Sequence, residues 1–427
     1  MKRRTYLATA STTAAIAIAG CAGGIGTTDD TDDPDDPNES DGNETDGDGD
    51  DPNGDDELPE MVGTFDDFED LSAWEAVAGS VEADSERMSM GSQSAHLSMA
   101  ESETQARIVR ELSEPIDVED VVPGLALSTD SSTNVVIQLQ DAGGDFHQFI
   151  QYTYDGQPFV RQNFGHTEVT GDADLNEITE IHITFSGSDD NESHLWVDDL
   201  HFVPRVEDGR VMVQFQGGFE SDYTHAFPIM EEYDLTGATF VATDRIRITD
   251  EASGDRMTED QLAELVDAGW SLGTVGSRGL QLHRVDSDQA ESDILDPLAW
   301  FEDKGYDDAQ YFAFPGGRYD PEMYELVGEN YDLGFAGRYM SQGWASNRLN
   351  ITRISADAGQ RNLNADQLVD ILDWTAEHGG ITTIVFYKMD QSDASALETM
   401  ASRLAEHRSA GDLELITPGE IANEYVP

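Results

Sequence analysis

The sequence predicts an α/β protein, an all-β sandwich followed by a (β/α) barrel, and two pattern changes along the chain carry that expectation. From Met61 to about residue 205, apolar and polar residues alternate in short runs split by turn residues, with no convincing helical run. From Val206 onward, short apolar strands alternate with amphipathic stretches of helical period, the pattern of a parallel sheet wrapped by helices. With what precedes them, the chain divides into segments 1–21, 22–60, 61–205 and 206–427.

The first segment reads as an export signal. Arg3-Arg4 is followed by a modest apolar run from Ala8 to Ala19 and then by Ile18-Ala19-Gly20-Cys21. The paired arginines resemble a twin-arginine signal, and the ending resembles a lipobox whose cysteine is lipidated; the run is short for a membrane span. Cys21, the single cysteine, is the expected lipidation site, so the protein is expected to be extracellular and anchored to the membrane through lipid. Residues 22–60 are dominated by Asp, Glu, Gly, Pro, Asn, Ser and Thr, a composition that buries too little apolar surface to fold and therefore acts as a tether. Of four N-glycosylation patterns, only the linker pair at Asn38 and Asn43 is a candidate for modification.

Charge narrows the function classes further. The chain of 427 residues has 88 acidic and 23 basic residues, a formal net charge of −65 spread through its whole length. Such self-repulsion destabilises a compact state unless salt screens it, and at molar salt the Debye length falls to about 3 Å. The composition therefore suits a high-salt environment of the haloarchaeal type. It excludes nucleic acid as a natural partner, because phosphate recognition relies on Lys and Arg.

In the β-rich part, strands are predicted over Ser94–Ser98, Ala106–Arg110, Asn134–Gln140, Phe146–Tyr152 and Glu180–Phe185. The opening Phe65-Asp66-Asp67-Phe68-Glu69 with Trp74, the turn Gly91-Ser92-Gln93-Ser94 and the closing Trp196-Val197-Asp198-Asp199-Leu200 resemble galactose-binding-like, carbohydrate-binding jelly rolls. That resemblance implies neighbouring first and last strands and a structural calcium, for which Glu69 and Asp199 are the candidate ligands; two carboxylates are only part of a calcium shell. Trp74 and Trp196 are either sugar-stacking or core residues.

In the barrel part, strands are predicted at Val211–Phe215, Ala238–Val241, Tyr311–Phe314, Leu333–Phe335 and Thr382–Phe386. Helices are predicted from Tyr223 to Tyr233, from a Thr258 cap to Gly269, and from near Asn364, Ala394 and Pro418. The motifs Val213-Gln214-Phe215-Gln216-Gly217-Gly218, Asp267 to Gly279, Phe312-Ala313-Phe314-Pro315-Gly316-Gly317-Arg318-Tyr319 and Ile384-Val385-Phe386-Tyr387 fall in the order seen in polysaccharide deacetylases. The C-terminal half thus resembles the polysaccharide-deacetylase (NodB-homology) family, which implies a distorted (β/α) barrel and a metal-activated water that removes acetyl groups.

The residues that this chemistry needs are missing at the matching positions. The resemblance places the base at Gln216, the Asp-His-His metal ligands at Gly217, Val275 and Gly279, the acid at Tyr387 and the third-motif Arg at Ala313. An amide takes no proton, and glycine and valine donate nothing to a metal. The expectation is a catalytically inactive, glycan-binding protein with no cofactor in the barrel site. Its cleft would be lined by Phe219, Tyr223, Phe314, Pro315, Tyr319 and Tyr387. Two alternatives stay open: an active metal-dependent deacetylase with a relocated site at Glu220, Asp222 and His225, with His283 nearby, and a structural or regulatory envelope component.

Overall fold

The computed structural model describes residues 58–100, 103–187, 192–339, 341–358 and 361–426. The export signal with Cys21, the acidic tether with Asn38 and Asn43, and Asn191 lie outside the described residues. No helix among the described residues is long and apolar enough to cross a membrane.

Two antiparallel six-stranded sheets come first. One contains Ser80–Asp84, Ser94–Met99, Ser193–Pro204, Val121–Thr129 and Val160–Gln162 in that order, with Gly63–Asp66 pairing on Ser193–Pro204. The other runs Gly165–Thr170, Phe146–Thr153, Thr133–Asp141, Ile178–Ser186, Gln105–Ile116 and Trp74–Ala78. Alternation decides which side chains face inward. Along Thr133–Asp141, Val135, Ile137 and Leu139 are fully buried and pack in one apolar cluster with Leu97, Leu127 and Val197 of the opposite sheet. Each such buried aliphatic side chain stabilises the fold by roughly 1.5–3 kcal/mol. The first strand pairs with the last, Gly63 opposite Phe202, as the jelly-roll resemblance implies.

Both tryptophans are buried. Trp74 stacks on Phe68 and donates its indole N–H to Asp66 at 2.9 Å, while Trp196 stacks on His96 and donates to Asp84 at 2.8 Å. The strand Val121–Thr129, which carries Pro123 and Gly124, is not evident from alternation. Gly124 is required there because a Cβ would collide with the His201 ring on the neighbouring strand.

From Gly209 the sheet becomes parallel and closes on itself. Strands Gly209–Gly217, Ala238–Val241, Ser271–Thr274, Tyr311–Ala313, Leu333–Arg338, Ile351–Ser355 and Ile381–Phe386 pair in sequence, and the last pairs back with the first, a seven-stranded barrel. Leu413–Leu415 extends the sheet beside the start of the first strand. Strand residues such as Phe215 and Ile384 pack with Leu262, Leu372 and Leu404 of the surrounding helices.

Sequence signals hold where they are local. Thr258, Asn364 and Thr417 each close a capping box at the start of a helix. The helix expected from Ala394 begins at Gln391, because Asp390 caps it with its own box. The stretch expected to be helical from Tyr223 opens as a single π turn over Asp222–Ala226 before the α-helix Phe227–Glu232. Two helices, Ser287–Lys304 and Pro321–Asn330, and the strand Ile351–Ser355 carry no signal recognised in the sequence. The internal Pro297 interrupts the periodicity of the first of these.

The sandwich and barrel meet through polar side chains that saturate each other. Asn163 Nδ2 donates to the carbonyls of Asn347 and Asn350 at 2.8 and 2.9 Å, and its Oδ1 accepts from Asn347 N at 3.1 Å. Tyr319 N donates to the Tyr154 hydroxyl at 2.6 Å, and Gln157 Nε2 donates to the Tyr319 hydroxyl at 2.7 Å. Residues 58–427 accordingly form one compact unit.

Candidate functional site

Parallel strands all deliver their C-terminal ends to one face of a barrel, so residues far apart in sequence converge there. Here they surround a cleft of about 430 Å³. The first strand supplies Gln216, Gly217 and Phe219, and the third supplies Val275, Arg278 and Gly279. Pro315 and Gly316 enter after the fourth strand, and Tyr387 after Ile381–Phe386. Every position that the sequence analysis matched to base, metal ligand or acid is therefore in this one cleft.

The residues present do not fit a divalent metal. Gly217 and Gly279 offer no donor atom, and Val275 is apolar and buried. The backbone there also leaves no room for a ligating side chain. Gly217 has φ +115°, and a Cβ built on it would lie 2.5 Å from the Phe219 ring. That ring is held in place by Arg256, whose guanidinium carbon stands 3.5 Å from its centroid. Phe219 thus fills the space a carboxylate side chain at position 217 would need.

The relocated set does not assemble either. Among the described residues no group of three His, Cys, Asp or Glu is arranged to hold a metal ion. Glu220 is paired with Arg247 at 2.7 Å. Asp222 is buried in the π turn, His225 contacts Thr224 Oγ1 at 2.9 Å, and His283 is exposed on a separate turn. In the sandwich, the calcium candidates have separate partners. Glu69 accepts from the Ser92 hydroxyl at 2.5 Å, whereas Asp199 accepts from Arg161 Nε at 2.5 Å and Thr64 Oγ1 at 2.8 Å. The Ser92 hydrogen bonds hold Glu69 below its ordinary pKa; for Asp199 burial pushes upward, and the Arg161 and Thr64 hydrogen bonds with nearby positive charge outweigh it and lower the pKa.

The aromatic lining expected from the sequence divides in two. Phe219, Pro315 and Tyr387 line the cleft. Phe314 and Tyr319 do not: both are buried in the apolar cluster beneath the fourth strand, ring centroids 4.8 Å apart. Tyr223 points away along the outer helix layer, stacked on Phe227 and hydrogen-bonded to Glu264 at 2.5 Å. None of the three lies in a strand: Phe314 and Tyr319 flank the turn Pro315–Gly317 and Tyr223 lies in the π turn, so their directions are set by local turn geometry that no periodicity marks.

Four arginines went unrecognised in the sequence. Arg245, Arg256 and Arg278 line the cleft. Arg353, on the unrecognised strand Ile351–Ser355, is buried and donates to Gln216 Oε1 at 2.6 Å, to Gln214 Oε1 at 3.2 Å and to the Phe314 carbonyl at 2.9 Å. Burial is the main influence lowering the Arg353 pKa, Tyr387 opposes it and Arg338 adds to it. A search for basic residues just after each barrel strand would have found Arg245 and Arg278.

Barrel and cleft together define a closed seven-stranded parallel β/α scaffold with an open cleft at its strand ends, and the comparisons say what that scaffold is similar to. Residues 204–332 match the family model for polysaccharide deacetylase. A putative polysaccharide deacetylase of Bacillus subtilis is 23% identical over 125 residues, covering 29% of this chain and 43% of that protein, less than half its length. Among solved structures, the chain is similar to a peptidoglycan deacetylase from Bacillus subtilis (14% identity, 50% of this chain and 90% of that one, TM-score 0.36). It is also similar to a family 4 carbohydrate esterase from Streptomyces lividans in complex with acetate (15% identity, 49% and 94%, TM-score 0.35). A family 11 carbohydrate-binding module from Clostridium thermocellum is a further likeness (13% identity, 34% and 94%, TM-score 0.27). None of these three reaches a TM-score of 0.5, and the fold is read from the strand order and the family match.

Proposed function

We propose that this chain is a surface-anchored glycan-binding protein that keeps the polysaccharide-deacetylase scaffold and does not hydrolyse its ligand. One observation carries the reading. The positions that should supply ligands, base and acid converge on one open cleft, and they are Gly217, Val275, Gly279, Gln216 and Tyr387. Such a set cannot hold a metal or accept a proton from water, but it can still bind. Phe219 and Tyr387 offer faces for sugar rings, and Gln216 has its amide oxygen fixed by Arg353. Anchoring through Cys21 and life in high salt complete the reading, supported by the lipobox-like sequence and the net charge of −65.

The test combines three measurements on the full chain in molar salt. Elemental analysis after incubation with zinc, cobalt or nickel should find no stoichiometric metal. Acetylated glycans should release no acetate above background, and at least one polysaccharide should retain the protein on an affinity column. Bound metal together with acetate release would replace this reading with an active deacetylase.

A further inference from the structure

We infer that the cleft takes an anionic saccharide, one whose sugar carries a carboxylate or a sulfate, and that Arg245, Arg256 and Arg278 recognise the charged group. The inference rests on the glycan-binding reading above and adds a ligand class to it.

The carrying observation is a local reversal of charge. The chain has 88 acidic and 23 basic residues, yet the cleft lining holds three arginines and no Asp or Glu. Composition alone would place carboxylates there. Two more cations stand close by: Lys388 lies 5.9 Å from the centroid of the Phe219 ring, and Arg338 reaches the carbonyl of the cleft residue Gly316 at 3.5 Å. Beneath the floor, Arg353 bonds only neutral oxygens, from Gln214, Gln216 and Phe314, and among the described residues no carboxylate pairs with it. With no carboxylate partner among the described residues, that buried charge adds to the positive field over the cleft.

The carboxylates around the cleft orient the arginines without covering them. Asp255 accepts from Arg256 at 2.6 Å and Lys388 at 2.9 Å, one negative charge between two positive ones. Asp293, buried, sits 3.6 Å from Arg278 Nε and spends its oxygens on Ser277 Oγ and the backbone N–H groups of Arg278 and Leu280. Asp222 contributes to the charge environment of Arg256 from the buried side. Asp244 is exposed next to Arg245 in sequence, and the Arg245 side chain has no ion pair among the described residues. Arg245 is therefore the least compensated cation of the wall.

Guanidinium groups bind carboxylate and sulfate through paired N–H donors, and these direct contacts survive at molar salt where a Debye length of about 3 Å removes longer-range attraction. The Phe219 ring, already stacked beneath Arg256, and Tyr387 supply the apolar faces a sugar ring needs beside its charged substituent. A cleft of about 430 Å³ falls in the usual range for small-ligand sites.

The experiment is calorimetric titration of the full chain in molar salt with trigalacturonate and its methyl ester, a sulfated galactan oligosaccharide and its desulfated form, and sodium sulfate alone. The charged saccharides should bind about tenfold or more tightly than their neutral counterparts, and Arg245→Gln should abolish most of that preference, consistent with one charged hydrogen-bonded contact. Arg278→Gln should act the same way, and unchanged thermal unfolding of both variants should exclude misfolding. Carboxylated and sulfated ligands each support the proposal, and their relative affinity says which anion the site prefers. Equal binding of charged and neutral forms, unmoved by both substitutions, would overturn this inference and leave glycan binding standing. Binding of sodium sulfate as tight as that of the sulfated sugar would overturn the saccharide half. Binding of none of these ligands, with no polysaccharide retaining the protein either, would overturn both this inference and the reading beneath it.

Discussion

Arg353 Nη1 lies 2.6 Å from Oε1 of Gln216, so a buried guanidinium fixes the orientation of this cleft-lining amide. The two residues come from different strands, Ile351–Ser355 and Gly209–Gly217, and meet only because the barrel closes.

Arg353→Met should destabilise the protein. It removes the donor from the Gln214 and Gln216 amide oxygens, at about 1–3 kcal/mol for each group left unpaired in the interior, while the Phe314 carbonyl keeps the Gly317 N–H at 2.9 Å. Denaturant unfolding at fixed salt should show a lower midpoint at an unchanged slope. A midpoint equal to that of the parent chain would mean that the guanidinium is not holding these groups.

Rebuilding the metal ligands should fail while Phe219 stays. Gly217→Asp places a side chain at φ +115° and against the Phe219 ring, a strain of roughly 1–3 kcal/mol. The triple variant Gly217→Asp, Val275→His, Gly279→His is expected to bind no zinc by elemental analysis; adding Phe219→Ala should be necessary for any uptake. Stoichiometric zinc in the triple variant alone would show that the ring moves aside freely.

Acid should weaken the fold through its buried histidines. His201 places Nδ1 2.8 Å from the Asp199 carbonyl, its Nε2 is buried with no hydrogen-bond partner among the described residues, and burial pulls its pKa from 6.5 down to about 4. Above pH 6.5 the ring is neutral in both folded and unfolded chains. Between pH 6.5 and about 4 the unfolded chain gains a proton that the folded one refuses, so stability falls with falling pH, by up to about 3 kcal/mol from this residue. Below pH 4 its contribution levels off. His147, lowered to about 4, and His182, lowered to about 3, act in the same direction. His201→Gln, measured in molar salt, should flatten the decline by about one proton; superimposable pH profiles would contradict this.

The sandwich and barrel should unfold together. Asn163→Leu removes three bonds to Asn347 and Asn350 and should cost about 2–4 kcal/mol, because buried backbone groups lose their partners. Calorimetry of the parent is expected to show one transition for residues 58–427. Two well-separated transitions would mean that this polar seam does not couple the halves.

Local chemistry was legible in the sequence, and the reasons are short-range. Alternation marked strands such as Thr133–Asp141, and the capping boxes at Thr258, Asn364 and Thr417 follow from residues three positions apart. The motif order placed Gln216, Gly217, Val275, Gly279 and Tyr387 at the site before any coordinates, because strand ends in a parallel barrel must converge. What the sequence could not decide was which neighbours of those positions face the cleft. Phe314 sits one residue before Pro315 and both are buried, yet only Pro315 lines the cleft. Arg353 lies in a strand whose pattern gave no signal, and Arg256 reaches the cleft by stacking on Phe219 from a loop. The sequence by itself determined the family resemblance and the absence of donor side chains at Gly217, Val275 and Gly279, since both are properties of residue identity at ordered positions. Only the tertiary structure decided that the empty positions are ringed by arginines, because charge at a site sums over residues that folding alone brings together.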